Sequence, residues 1–473
     1  MSYTEILALR TEHRISQIKL AEYSGYSPAM ISGWELKKSV PSQEQIKKLS
    51  ATITGILVNE KESGHNIRKK RIQHSGKPKG ETPSVIVSAD DYAERMRSVD
   101  YAQTCYTELL NNMPTTTADN PPRAIALFSG CGGMTLGFEW AGFDVLGHIE
   151  IDEAANKIYS ANFSESSLLG TDIAKVADSE VHGWIERFGA IDVIIGGPPC
   201  QGFSLAGKRN PEDERNELFQ HYLRIVNIIR PRAFIMENVR LMTSMKDSDG
   251  NLFIERIMNG FNSIGYSVDY KYMNSQDYGT PQCRDRVIVV GTDTSLTKQY
   301  EFPTPTHTDN TQMNLTSCVD ESIRTFRDAV ADLPELESGK KSDDPLHWAV
   351  SHPYHVIEWL KDVPEGKSAH ENENPALRPP SGFNTTYKRL VWDEPCSTIS
   401  TNFSMISGCR NVHPTSTRSI TIREATRSQS FPDSFAFFGK WGDIRRVIGN
   451  AVPPLLAKAI ADSIYSQFFT TDD

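Results

Sequence analysis

The sequence predicts an α/β protein: a doubly wound, mostly parallel sheet with a smaller second domain placed late in the chain, preceded by a separate all-α unit. Three observations predict it. From Arg123 to about Thr292, the short apolar runs AIALF, DVLGHIEI, IDVIIGG, AFIMENV, YSVDYKYM and RVIVVG alternate with amphipathic stretches, the pattern of strands joined by crossover helices. After Thr292 this regularity fades into a Pro, Asp, His and Asn-rich region reaching about Thr417, beyond which helical periodicity resumes. Residues 1 to about 55 instead place apolar side chains three and four apart, at Ile6, Leu9, Ile15, Leu20, Ala21, Ile31, Ile46 and Leu49.

Composition narrows the function classes. No run approaches the roughly eighteen apolar residues of a membrane span, and the start MSYTEILALRTEHR lacks the apolar core of a secretory leader, so no membrane association and a cytoplasmic location are expected. Seven cysteines lie scattered from Cys105 to Cys409 without a C-x-x-C pair, which argues against a disulfide framework and a structural zinc site; no metal is expected. The net charge of -10 disguises a basic amino-terminal part, since residues 1–80 hold 14 Lys and Arg against 7 Asp and Glu. A local basic stripe can grip phosphate whatever the total charge.

In the amino-terminal unit, SQIKLAEYSGYSPAMISGWELKK has a Ser start, a turn at Gly25, a second start at Ser27-Pro28 and a basic end. That is the outline of a helix-turn-helix, although spacing alone fits any small helical bundle equally well. Gln17, Leu20-Ala21, Gly25, Ile31, Trp34-Glu35 and Pro41 resemble the pattern of the phage-repressor-like helix-turn-helix family. The resemblance implies that Ser27 to Lys38 enters the major groove, with Ser27, Ala29, Met30 and Ser32 nearest the bases and Lys37 and Lys38 near phosphate. So small a module implies a dimer on a two-fold symmetric operator. The following KESGHNIRKKRIQHSGKPK reads as a basic linker, and the stretch after it as a connecting helix.

The sheet opens with ALFSGCGGMTLGFE, a strand running into Gly130, Cys131, Gly132 and Gly133 and then a helix. Glycines there allow a tight turn and let a ligand lie against bare backbone. Glu150 ends the next strand twenty residues after Gly130, the offset at which an acid reaches ribose hydroxyls. Asp172, in GTDI, would end a third strand on the same edge. These residues predict a nucleoside pocket and leave a hydride cofactor and S-adenosylmethionine both open.

IDVIIGGPPCQGFS then places Cys200 in a loop after an apolar strand, with Pro198 and Pro199 fixing the backbone before it. A free cysteine is usually a small buried hydrophobe; a polar loop at a strand's carboxyl end favours a reactive one. Glu237, in AFIMENV, reaches the same edge, and Arg284 and Arg286 alternate onto one face as a later strand begins.

In order, FSGCGG, EID, TDI, GGPPCQGFS, ENV, QDYGTPQCRDR, TIREATRSQSFPDSF and GNAVPP resemble the cytosine-5 DNA methyltransferase family over about residues 123–473. The resemblance implies an S-adenosyl-L-methionine-dependent methyltransferase sheet. In it Phe128, Gly130, Gly132 and Gly133 line the cofactor, Glu150 holds its ribose, Asp172 and Ile173 meet the adenine, and Asn450 with Val452 close the pocket. Cys200 attacks, Glu237 handles ring nitrogen 3, and Arg286 contacts the base carbonyl with Arg284 nearby. Ala126 stands where the family often has Asp, and Cys283 where it has Lys or Arg. The chemistry needs these types: carbon 5 of cytosine is a poor nucleophile until a thiolate adds at carbon 6, and a base stacked in a duplex must be flipped out to be reached.

The expected organisation is a helix-turn-helix domain (1–58), a basic linker and connecting helix (59–121), a catalytic and cofactor-binding domain (122–292), a target-recognition region (293–417), and a carboxyl-terminal part returning to the catalytic domain (418–473). Double-stranded DNA is the expected substrate, a cognate restriction endonuclease the genetic partner, and the nucleoid the place of action. Two rival readings are a repressor with an inert enzyme half and an RNA cytosine methyltransferase.

Overall fold

The computed structural model describes residues 2–13, 15, 17–35, 39–56, 80–81, 83–114, 119–199, 218–246, 250–296, 298–309, 321–380 and 382–470. Cys200, Lys37 and Lys38 therefore lie outside the described residues. The chain divides into two compact units, residues 1–76 with 353–355, and residues 77–352 with 356–473.

The first unit is helical, as the apolar spacing predicts. Helix α1 (Tyr3–Glu12) starts with a capping box, in which the Ser2 hydroxyl accepts from the Glu5 N–H and the Glu5 carboxylate accepts from the Ser2 N–H. Helices α2 (Gln17–Ser24) and α3 (Pro28–Glu35) turn through Gly25, whose φ of 72° suits glycine; α4 spans residues 43–56. Ile6, Ile15, Leu20, Ala21, Ile31, Trp34, Leu49, Ile53 and Ile56 form the core. Ser27, expected at the bases, accepts from the Met30 N–H at 3.2 Å and so starts α3, leaving Met30 exposed and Ser32 half-buried. Ala29 lies in the first turn of the same helix.

The second unit begins with an arm that the sequence presents as a connector. Its helices α5 (Ala89–Met96) and α6 (Cys105–Asn111) instead bury Tyr92, Tyr106 and Leu110 in a large core, joined by Ile86 just before α5. The sheet follows: β1 (Arg123–Leu127), α7 (Gly133–Trp140), β2 (Asp144–Ile149), α8 (Glu153–Asn162), β3 (Ser167–Gly170), α9 (Asp178–Phe188), β4 (Val193–Gly196), α10 (Leu218–Ile229), β5 (Ala233–Val239), α11 (Phe253–Ser263), β6 (Tyr266–Asn274), the short β7 (Gln282–Cys283) and β8 (Asp285–Asp293).

Strand order is β3-β2-β1-β4-β5-β8-β6, with β8 antiparallel to both neighbours and the other pairs parallel. Alternate residues point to opposite faces. Ile125, Leu127, Ile194, Phe234 and Val289 therefore pack under α9, α10 and α11, while Ala124, Ala126, Ile195, Ile235 and Ile288 meet α7 and the carboxyl-terminal helix.

Where it is described, the irregular region is packed rather than loose. It holds β9 (His307–Thr308), β10 (Glu321–Ser322), α12 (Phe326–Val330), α13 (Tyr354–Leu360) and β11 (Cys396–Ser397), with a small core of Val356, Leu360, Val363, Ile406, Cys409 and Val412. Three helices end the chain: α14 (Ile422–Ser428), α15 (Trp441–Asn450) and α16 (Pro454–Phe468), the last returning to the sheet. Among the described residues no helix is long and apolar enough to cross a membrane.

Candidate active site

The strand order reverses between β1 and β4, and ligands of such sheets lie outside the carboxyl ends at that point. The loop after β1 is built for close approach. Phe128, Gly130 and Gly132 all have positive φ, at 54°, 57° and 95°. A Cβ on Gly130 would meet nothing within 4 Å, so this backbone borders open space. Gly132 and Gly133 are required for packing: a Cβ would come within 2.2 Å of the Phe163 ring at the first and of the Val452 carbonyl at the second.

Glu150 follows β2 and shapes this loop. Its two carboxylate oxygens accept from the N–H groups of Gly130 and Asp152, each at 2.7 Å. Burial pushes its pKa up, against those backbone donors and the charge of Arg446. Each oxygen keeps a second lone pair, the acceptor capacity that ribose hydroxyls need. Beside it Ile151 is 70% exposed, an apolar surface that the sequence reading passed over and that suits the flat face of a base. Asp172 accepts from the Ala174 N–H and pairs with Lys175 at 3.2 Å, while Ile173 is buried in the sheet's core. Asn450, at the end of α15, is exposed, and Val452 lies against Gly133. Asp152 also pairs with Arg446 of α15, joining the Glu150 loop to the helix that carries Asn450. The open backbone at Gly130, the paired acceptor at Glu150 and the exposed Ile151 fit a nucleoside-bearing cofactor.

The second group of expected site residues lies along β4, β5 and β8. Gly196 must lack a side chain, since a Cβ would sit 2.2 Å from the Leu127 carbonyl. Buried Asn238 donates to the Pro198 carbonyl at 2.8 Å, pinning the backbone two residues before Cys200. Glu237 pairs with Arg286 at 2.5 Å, and the two side chains are only 12% exposed. Register explains the meeting: Val239 faces Arg286 across the antiparallel β5–β8 pair, which sets Glu237 one diagonal away.

Arg284 behaves differently from Arg286. Fully buried, it donates to the carbonyls of Ile399 at 3.1 Å and Gly449 at 3.0 Å, tying the strand to the irregular region and to α15. Burial and the neighbouring Arg286 push its pKa well down. Among the other described cysteines, burial holds the Cys131 thiol up at about 12 and Cys409 at about 11, so both stay protonated.

A doubly wound sheet with open backbone and a paired acid at its switch point, beside a carboxylate–guanidinium pair, is an arrangement that suits an enzyme binding a nucleoside-bearing cofactor. Residues 123–466 match the model of the C-5 cytosine-specific DNA methylases, and residues 6–53 match a helix-turn-helix model. The chain belongs to the C-5 cytosine-specific DNA methylase family and is a DNA (cytosine-5)-methyltransferase carrying an amino-terminal helix-turn-helix. It is 36% identical over 345 residues to the type II methyltransferase M1.HphI of Haemophilus parahaemolyticus, covering 72% of this chain and 86% of that one. M.XorII of Xanthomonas oryzae pv. oryzae is 33% identical over 378 residues, covering 72% and 84%. Among solved structures, a candidate DNA modification methyltransferase encoded within an E. coli prophage superposes with a TM-score of 0.57 at 26% identity, covering 73% of this chain and 99% of that one.

Proposed function

We propose that the chain methylates carbon 5 of cytosine in a specific duplex sequence through a covalent Cys200 adduct, with S-adenosyl-L-methionine as donor and the target base flipped out. The observation that carries this reading is the convergence, at one sheet edge, of the Gly130–Glu150 cleft and the Glu237–Arg286 pair. S-adenosylmethionine supplies an electrophilic methyl group when bound. Phe128, Gly130, Gly132, Gly133 and Glu150 would hold it, with Asp172, Ile173, Asn450 and Val452 completing the pocket as the family resemblance implies. The Cys200 thiolate forms a bond to carbon 6, making carbon 5 nucleophilic; Glu237 shares a proton with ring nitrogen 3, and Arg286 steadies charge on the exocyclic oxygen. Once carbon 5 carries the methyl group, loss of its proton expels the thiolate. Arg284 serves this site by fixing the backbone that carries Arg286.

Residues 293–417 read the target sequence, and a cognate restriction endonuclease shares the biological role, as the type II designation of the relatives suggests. Residues 1–58 bind a separate site, the operator of the chain's own gene, as a dimer, so that enzyme level limits itself. Bisulfite sequencing of DNA from cells expressing the chain tests the activity and reports the target. Duplex carrying 5-fluorocytosine at that target should trap a denaturant-resistant adduct that Cys200→Ala abolishes; an adduct formed equally by the variant refutes the nucleophile. Deleting residues 1–58 should abolish promoter binding while methylation persists, and loss of catalysis in a folded deletion variant refutes the regulatory reading.

A further inference from the structure

The arm of residues 84–111 precedes the stretch matched by the methylase model and follows the stretch matched by the helix-turn-helix model, so neither accounts for it. Yet it enters the most heavily charged part of the interior. Arg423 and Arg427 of α14 are fully buried, and their guanidinium groups meet Asp344, Asp332 and Asp433. The arm completes this network with uncharged groups: the Tyr92 hydroxyl accepts from Arg423 at 2.6 Å, and the Tyr101 hydroxyl donates to Asp344 at 2.9 Å. Buried charges of this kind are tolerated only when their remaining hydrogen bonds are made.

The arm also grips one turn by its main chain. The Asp433 carbonyl accepts from the Tyr92 hydroxyl at 2.5 Å, and the Asp433 N–H donates to Asn111 at 3.2 Å. Both backbone groups of this residue are thus held by the arm, while its carboxylate is held by Arg423 and Arg427. Asp433 sits in FPDSF, between Phe431 and Phe435, whose rings lie 4.8 Å apart. Phe431 reaches to 3.2 Å from where a Gly133 Cβ would stand, and Phe435 packs against Phe163, the ring under Gly132.

We infer that the arm is a positioning element for the cofactor: it fixes the Phe431–Phe435 turn, and the turn supports the Gly132–Gly133 backbone from below. This rests on the assignment of that loop to S-adenosylmethionine. The chain of contacts runs from Tyr92 and Asn111 through Asp433 to Phe431 and then to Gly133, without either arm residue approaching the cleft. A loop held less firmly spends less time in the binding geometry, which lowers affinity in proportion.

The test uses the full chain with Tyr92→Phe, which deletes one oxygen, Asn111→Ala, which alters an exposed side chain and leaves folding intact, and the pair combined. S-adenosylmethionine binding is measured by titration calorimetry well below each melting temperature, and KM for cofactor and for duplex are measured separately. The double variant should bind the cofactor roughly three- to tenfold more weakly, the range of one net hydrogen bond, with KM for DNA within about twofold of the parent. Unchanged cofactor affinity in folded variants, whatever the fall in melting temperature, overturns the inference and leaves the arm a structural brace. Failure of the parent chain to bind S-adenosylmethionine refutes the cofactor reading instead.

Discussion

Glu150→Gln isolates the carboxylate that holds the Gly130 loop, the proposed cofactor site. The wild-type group accepts two backbone N–H bonds at 2.7 Å, one per oxygen. The amide keeps one acceptor and turns an NH2 group toward the other donor, so one charge-assisted bond is lost and replaced by a clash of donors. In the free protein the loss is offset in part, because burial already disfavours the charge at this position; a net cost of about 1 to 2 kcal/mol in stability is expected. In the complex there is no such offset, since ribose hydroxyls lose a charged acceptor. Weakening of about 1.5 to 3 kcal/mol corresponds to roughly 10- to 150-fold in Kd. Titration calorimetry with S-adenosylmethionine, beside a thermal melt of the free protein, measures both effects. A variant with native melting behaviour and a Kd within twofold of the parent would show that Glu150 does not hold the cofactor.

Gly132→Ala should cost roughly 1 to 3 kcal/mol in stability, because φ is 95° and the added carbon meets the Phe163 ring; denaturant titration with an unchanged midpoint would contradict this. Arg284→Lys should destabilise by about 2 to 4 kcal/mol, since one ammonium group cannot span the Ile399 and Gly449 carbonyls, whereas Arg286→Lys should leave the melt intact and lower kcat. The reverse pattern would exchange the two roles. Glu139, pushed up to about 7 first by burial and then by Asp144, has a folded-state pKa above its ordinary 4.5. The unfolded chain therefore releases this proton first, and stability falls as pH rises from about 4.5 to about 7. Glu139→Gln should accordingly raise stability by roughly 1 to 3 kcal/mol at pH 8 and by little at pH 4; equal melting shifts at both would refute the assignment.

Most of the six runs were legible as strands because a sheet buried on both faces needs continuous apolar segments, the edge strand β6 showed aromatic and β-branched residues instead, and the third strand was legible from the acid that follows it. The turn glycines and Glu150 could be read because their constraint is local: a positive φ and a fixed offset along the chain. What escaped was set by distant contacts. Arg284 and Arg286 look alike in sequence, and only the carbonyls of Ile399 and Gly449, more than a hundred residues onward, separate their roles. The arm read as a connector because its polar surface gives no sign of what its tyrosines bury against. Ser27 was legible as a helix start, and that same geometry turns its hydroxyl toward the Met30 N–H.

The carboxyl-terminal helices explain why the site needs the whole length of the second unit. Gly133 and Gly137 lie so close to the Val452 and Pro454 carbonyls that no side chain would fit at either position. The loop after β1, with the start of α7, and the approach to α16 are therefore in close backbone contact. Arg284 reaches the Gly449 carbonyl from the reacting strand, and Arg446 reaches Asp152 beside Glu150. One short segment, Arg446 to Pro454, thus touches the loop proposed for the cofactor, the neighbour of Glu150 and the backbone beside Arg286. On the proposed assignment of the site, a displacement of that segment would disturb methyl-donor binding and base activation together. On that assignment, coupling between the two halves of the reaction would run through packing at the end of the chain, and the arm, as inferred above, would brace the same assembly through the turn that precedes it.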